Sequence, residues 1–289
     1  SLMRHSLFLL ILLLPTWCGA ARYSQSDSIR VETMLQRAAH LPMDSSLMLH
    51  YACQFLDVPY VAHTLESQDG SEQLTVNLRQ MDCTTFVETV VALVLTTRHN
   101  GTRWGDFCHW LTVIRYINGH MDGYASRCHY FSQWIASAQA MSLVSEISGE
   151  EGDGWFPFTG TQKLNLHYMS AHRDAYPAIA QDGGEALRVE QYEKQYSGTD
   201  VRYIPASLTG RSRKELSCVR DGDILALVTK KKGLDVSHLG LAVWNQDGRL
   251  HLLHASSIYH RVVLDEVPLC DYLRQHPSSL GVRVIRVNP

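Results

Sequence analysis

The stretch that most constrains this chain is Asp82-Cys83-Thr84-Thr85-Phe86-Val87-Glu88-Thr89-Val90-Val91-Ala92-Leu93-Val94-Leu95. Phe86, Val90, Leu93 and Val94 fall on one helical face, and Val87, Val91 and Leu95 on the adjoining one. A helix apolar over so much of its circumference has to be buried at the centre of a fold. Asp82 is a favoured N-cap residue, which places Cys83 in the first turn. There the unpaired backbone N–H groups and the positive end of the helix dipole are expected to lower a thiol pKa. A cysteine in such a place is otherwise a small inert hydrophobe, so its chemistry depends on whether the chain supplies a base.

Composition narrows the partners. The 289 residues, 45% hydrophobic and 19% charged, suit a globular chain with a substantial core. A net charge of -3 gives no electrostatic basis for binding nucleic acid or an acidic membrane surface. Lys230-Lys231-Lys232, followed by Gly233, reads as a solvated turn.

At the start, Met3-Arg4-His5 precedes an apolar run over residues 7–14, then Pro15 and the small residues Gly19-Ala20-Ala21. That pattern is expected of an export signal over residues 1–21, with Ser1-Leu2 a cloning remnant and residues 22–289 a single domain. Cys18 admits a second reading, a lipid anchor on an acylated cysteine. Seven cysteines at irregular spacing, with no C-x-x-C, signal neither a disulfide framework nor a zinc knuckle.

In chain order, helical spacing occurs at residues 28–40, 45–56, 104–117, 131–140, 167–175 and 185–196. Residues 73–78 read as a short strand or extended arm, and residues 150–161 as an irregular surface loop. After Asp221-Gly222-Asp223 the character changes to short apolar runs at residues 224–229, 238–244, 250–255, 261–267 and 282–287, with a helix at 269–275. Helices followed by an antiparallel sheet is the order of an α+β domain.

The base lies in that sheet half. Asp247-Gly248 between two apolar runs is a hairpin signal. A three-residue loop, Gln246-Asp247-Gly248, makes Asn245 face Arg249 and places His254 opposite Gly240. His238 is then the diagonal neighbour of His254 on the same face, within side-chain reach. A loop of two or four residues puts the histidines on opposite faces. An imidazole to take a thiol proton, with a second polar group to orient it, is what an activated cysteine needs.

The ordered motifs Pro59-Tyr60, Asp82-Cys83-Thr84, Ser237-His238-Leu239-Gly240 and His254-Ala255 resemble those of the NlpC-type papain-like cysteine hydrolases of bacterial cell walls. The resemblance implies a papain-like α+β fold in which the cysteine helix packs on an antiparallel sheet. The chain departs from compact members in the long interval between Cys83 and His238, read here as a mostly helical insertion over about residues 99–215. That insertion, with Arg115-Tyr116, Gly119, Asp122-Gly123-Tyr124, Arg127 and His129-Tyr130, resembles the N-acetylmuramoyl-L-alanine amidase-like branch. From residues and resemblance together, Cys83 is expected as nucleophile, His238 as general base and then acid, and His254 as its orienter.

By the same resemblance Tyr60 lies near the cysteine, as oxyanion donor or substrate contact. Asp82 is expected to be a cap or substrate contact, and Arg127, His129, Tyr130 and Ser237 are candidates for the substrate groove. No metal or organic cofactor is implied. The implied substrates are muropeptides, in particular 1,6-anhydro-muramic fragments, and the implied location is the periplasm or the outer membrane. A stem-peptide endopeptidase cutting after D-glutamate, a zinc amidase and a non-catalytic cell-wall binding module remain alternatives. The zinc reading is the weakest, since no H-E-x-x-H occurs and Cys108-His109 and Cys128-His129 are adjacent pairs.

Overall fold

The computed structural model describes residues 21–42, 46–149 and 156–289. The expected export signal lies outside the described residues except for Ala21, as do Cys18, Ser45 and residues 150–155 of the expected loop. The chain begins with α1 (Gln25–Ala38) and α2 (Ser46–Cys53), then crosses an extended arm to α3 (Cys83–Arg98). Asp82 caps α3 reciprocally: its carboxylate accepts from the Thr85 N–H at 2.8 Å, and the Thr85 hydroxyl accepts from the Asp82 N–H at 3.0 Å. The far end closes on Asn100 in the left-handed region (φ 59), with the Gly101 N–H on the Thr96 carbonyl and the Asn100 N–H on the Thr97 carbonyl.

Between these caps α3 is buried from Thr85 to Thr97. Its apolar circumference is explained by its neighbours: α1, α2 and α4 (Trp104–Arg115) on one side, and the sheet on the other. Phe86, Val90, Leu93 and Val94 are fully buried, each contributing roughly 1.5–3 kcal/mol relative to exposure.

α5 (Phe131–Ala140) is followed by β1 (Val144–Ile147), β2 (Gly160–Lys163), α6 (Tyr168–Ala171), α7 (Pro177–Gln181), α8 (Gly183–Gln195) and β3 (Asp200–Pro205). The sheet half then supplies β4 (Ile224–Thr229), β5 (Val236–Trp244), β6 (Leu250–Ser256), β7 (Arg261–Leu264), α9 (Leu269–Gln275) and β8 (Ser279–Val287). The strands form one antiparallel sheet in the order β2-β3-β8-β4-β5-β6-β7, with β1 also paired to β8.

Ile224 and Ala226 of β4 belong to the core beneath α3, and Leu225 and Leu227 to the core beneath α9. With both faces covered, β4 reads as a continuous apolar run.

Three features add detail to the sequence reading. The mostly helical interval also carries β1, β2 and β3, which leave it to extend the sheet beyond β8. These strands are short and polar, and their order comes from pairing rather than from an alternating pattern. The arm over residues 73–78 pairs only at an isolated bridge, Arg22 with Thr75. The helical stretch at 167–175 is broken at His172 into α6 and a single 3-10 turn, Arg173–Ala175.

Candidate active site

Cys83 is the first residue of α3, half-buried, and its sulfur meets the sheet where the Leu239 backbone N–H of β5 donates to it. Burial, followed by the neighbouring Asp82 carboxylate, pushes the thiol up to about 12. The Leu239 N–H and the Thr84 hydroxyl and N–H pull it down by less. The lowering expected at a helix start is therefore corrected: at this position desolvation outweighs the hydrogen-bond donors.

The hairpin has the three-residue loop. The Asn245 N–H reaches the Arg249 carbonyl at 3.0 Å, Gly248 takes φ 74, and Leu241 faces Leu253. That parity brings the two histidines together, with His238 Nε2 2.6 Å from His254 Nδ1. Gly240 leaves space between them, since a Cβ there would lie 3.1 Å from the His254 Cβ and 3.0 Å from Leu252, close enough that a neighbour would have to shift.

His254 is fully buried, and its Nε2 lies 3.1 Å from Asp265 Oδ2. α9 covers the pair: the Tyr272 ring lies parallel to His238 at 6.4 Å and edge-on to His254 at 5.7 Å, with His276 stacked behind it. Burial, then His254 and His276, pushes His238 down to about 3. The pair that would react is thus neutral thiol and neutral imidazole.

Cys83 stands at the meeting of two hollows. One, of about 90 Å³, is lined by Cys83, Ser237, His238, His129, Phe131 and Trp134 among others. The second, an open groove of about 320 Å³, is lined by Cys83, Tyr60, Asp82, Glu66, Arg127 and His129 among others. A larger cavity of about 510 Å³ beside β1 contains no histidine and is remote from this chemistry.

Of the expected site residues, Cys83, His238 and Ser237 thus share the small hollow, Tyr60, Asp82 and Arg127 line the groove, and His129 borders both. Burial, then the charges of Cys83 and Asp82, pushes the Tyr60 phenol up to about 12, so its hydroxyl keeps its proton. Arg127 is tied to Glu66 at 2.8 Å and Glu72 at 3.2 Å and lies over the Tyr124 ring. His129 accepts no proton readily, because burial and Arg127 push it down to about 3. Tyr130 lines neither hollow: its buried hydroxyl donates to Glu193 at 2.6 Å and accepts from the Met169 N–H at 2.8 Å. The structure therefore gives Tyr130 a place in the helical core rather than in the groove.

Sequence reasoning missed Asp265, Tyr272 and His276. Asp265 was findable by the diagonal rule that pairs the histidines, because His254 faces Val263 and Asp265 is two residues further along. Nothing local signals Tyr272 and His276, which depend on where α9 crosses the sheet. Among the described residues no disulfide joins two cysteines. Among the described residues no group of three or more His, Cys, Asp or Glu is arranged to hold a metal ion.

Residues 50–282 match the AmiA-like family, described as N-acetylmuramoyl-L-alanine amidase-like. An N-acetylmuramoyl-L-alanine amidase from Bacteroides uniformis is 36% identical, with a TM-score of 0.77 over 85% of this chain and 99% of its own. A protein called a putative xylanase, from Bacteroides fragilis, is 39% identical, with a TM-score of 0.74 over 83% of this chain and 100% of its own. Protein LPG0564 of Legionella pneumophila, at 23% identity and a TM-score of 0.69 over 91% of this chain and 95% of its own, shares the fold. No curated protein matches the chain.

Proposed function

We propose, on the premise that the chain belongs to the AmiA-like, N-acetylmuramoyl-L-alanine amidase-like family, that it cleaves the amide joining the muramic lactyl group to L-alanine through the Cys83 thiol. The family makes it an amidase-like hydrolase acting on peptidoglycan-derived substrate. The observation carrying the thiol mechanism is that Cys83 and His238 line one hollow while His238 is held at 2.6 Å by His254.

In this reading the thiol proton passes to His238 as sulfur attacks the lactyl carbonyl. The tetrahedral oxyanion is held by the Cys83 N–H, which a helix start leaves without an intrahelical partner, and by the Tyr60 hydroxyl. Collapse breaks the C–N bond, and His238 returns its proton to the departing alanine amine. Water, deprotonated by the same imidazole, then hydrolyses the thioester. His254 orients His238, and Asp82 acts chiefly as the cap of α3.

The substrate we favour is a 1,6-anhydro-muropeptide, and the place of action the periplasm or the outer membrane. The location is supported by the signal-like residues 1–21 and by Cys18 as a lipid-anchor site. The test is product analysis by mass spectrometry on one stem peptide carrying either the anhydro sugar or reduced muramic acid. The expected result is release of the intact stem from the anhydro form and much slower release from the reduced form. Cleavage after D-glutamate, indifferent to the sugar, would replace this reading with the endopeptidase.

A further inference from the structure

The hydrogen-bond chain behind the base continues past His254 to a carboxylate. Asp265 is 2% exposed and its geometry is fixed from several sides: its N–H donates to the Leu252 carbonyl at 2.8 Å, and its Oδ1 accepts from the Val267 N–H at 2.9 Å. Its own carbonyl accepts from His251 Nδ1 at 2.8 Å. The remaining oxygen, Oδ2, faces His254 Nε2 at 3.1 Å. Burial opposes the charge, but the His254 and Val267 N–H groups hold the carboxyl below the ordinary carboxylate range, so it is ionised and can only accept.

An acceptor at that end gives the imidazole pair a direction. His254 must carry its proton on Nε2, which leaves Nδ1 bare. The 2.6 Å contact then requires the His238 proton on Nε2, donated to His254. His238 Nδ1 is left with a free lone pair, on a ring that lines the same hollow as Cys83. Without the carboxylate the two rings are satisfied equally well with both protons reversed. The reversed form presents an N–H to the thiol and cannot accept from it.

We propose that Asp265 is a positioning residue, which sets both imidazole tautomers and so keeps His238 Nδ1 free to take the Cys83 proton. The proposal rests on the reading of Cys83 as nucleophile and His238 as base. No bond to Asp265 forms or breaks. When the thiol proton reaches His238, the imidazolium is faced through His254 by the carboxylate, and the charge is returned when the proton goes to the leaving amine. The other ionisable groups around the chain are Cys83 from α3, His251 from β6, and Tyr272 and His276 from α9. None of them offers His254 Nε2 an alternative acceptor among the described contacts.

The test is long-range proton–nitrogen NMR of the histidine rings in the wild-type protein and in Asp265→Asn, with kcat and KM measured beside it. The wild type is expected to show protonated Nε2 and bare Nδ1 on both His238 and His254. In Asp265→Asn the amide can donate to His254, both rings shift towards protonated Nδ1, and kcat falls about 10²-fold with KM within about twofold. A wild-type His238 protonated on Nδ1 overturns the proposal, and so do unchanged tautomers and kcat in Asp265→Asn. Should the variant not fold, the wild-type spectrum decides alone. The spectrum needs no substrate, so its outcome is separate from any failure of the amide assignment.

Discussion

At Cys83 two effects oppose each other. The first turn of α3 offers N–H donors and a positive dipole end, while burial between α3 and β5 removes water from the sulfur. Burial prevails and pushes the thiol up to about 12, as it pushes His238 down to about 3. A nucleophilic Cys83 in this setting would be served by general-base transfer during attack rather than by a standing thiolate. Iodoacetamide labelling, followed on the Cys83 peptide, should accelerate about tenfold per pH unit from pH 6 to 9 with no plateau near neutrality. A plateau below pH 7 would establish a preformed thiolate–imidazolium pair instead.

At the scale of elements, α3 and the β5–β6 hairpin place the two halves of the chemistry. Asp82→Ala removes the cap and should lower unfolding free energy by about 1 kcal/mol in a denaturant titration. Gly240→Ala inserts a methyl 3.1 Å from the His254 Cβ, which has to shift. Expected are a kcat at least about tenfold lower and a stability cost of roughly 1–3 kcal/mol, checked by kinetics and melting together. Glu88 of α3 and Arg115 of α4 form a buried ion pair at 2.7 Å. Glu88→Ala strands the guanidinium and should cost about 3–5 kcal/mol in the same titration.

These elements were the legible ones. A run such as residues 86–95 carries its own period, and reading the Gln246-Asp247-Gly248 loop as three residues puts both histidines on one face. β1, β2 and β3 carry no such signal, being short segments ordered by β8 and by one another. Asp265 needed a second register, that of β6 with β7, and the covering rings of Tyr272 and His276 needed the packing of α9.

For the whole molecule, the neutral buried histidines set the response to acid. His129 and His238 both have folded-state values near 3, against about 6.5 for an unfolded histidine. In that window the unfolded chain binds protons that the folded chain refuses, so stability is full above about pH 6.5 and declines as pH falls towards 3. Melting temperature should drop through that range, and the slope should be shallower in His129→Gln than in the wild type. An unchanged slope would show that His129 is not held neutral.

Opening of the lactyl–alanine amide by the Cys83 thiol is tested by mass spectrometry of the products from one defined 1,6-anhydro-muropeptide. With wild-type protein the expected products are free anhydro-N-acetylmuramic acid and an intact stem with a free L-alanine amine. With Cys83→Ala both products are expected to fall by on the order of 10³-fold or more. Scission inside the stem, or undiminished turnover by Cys83→Ala, would contradict this mechanism.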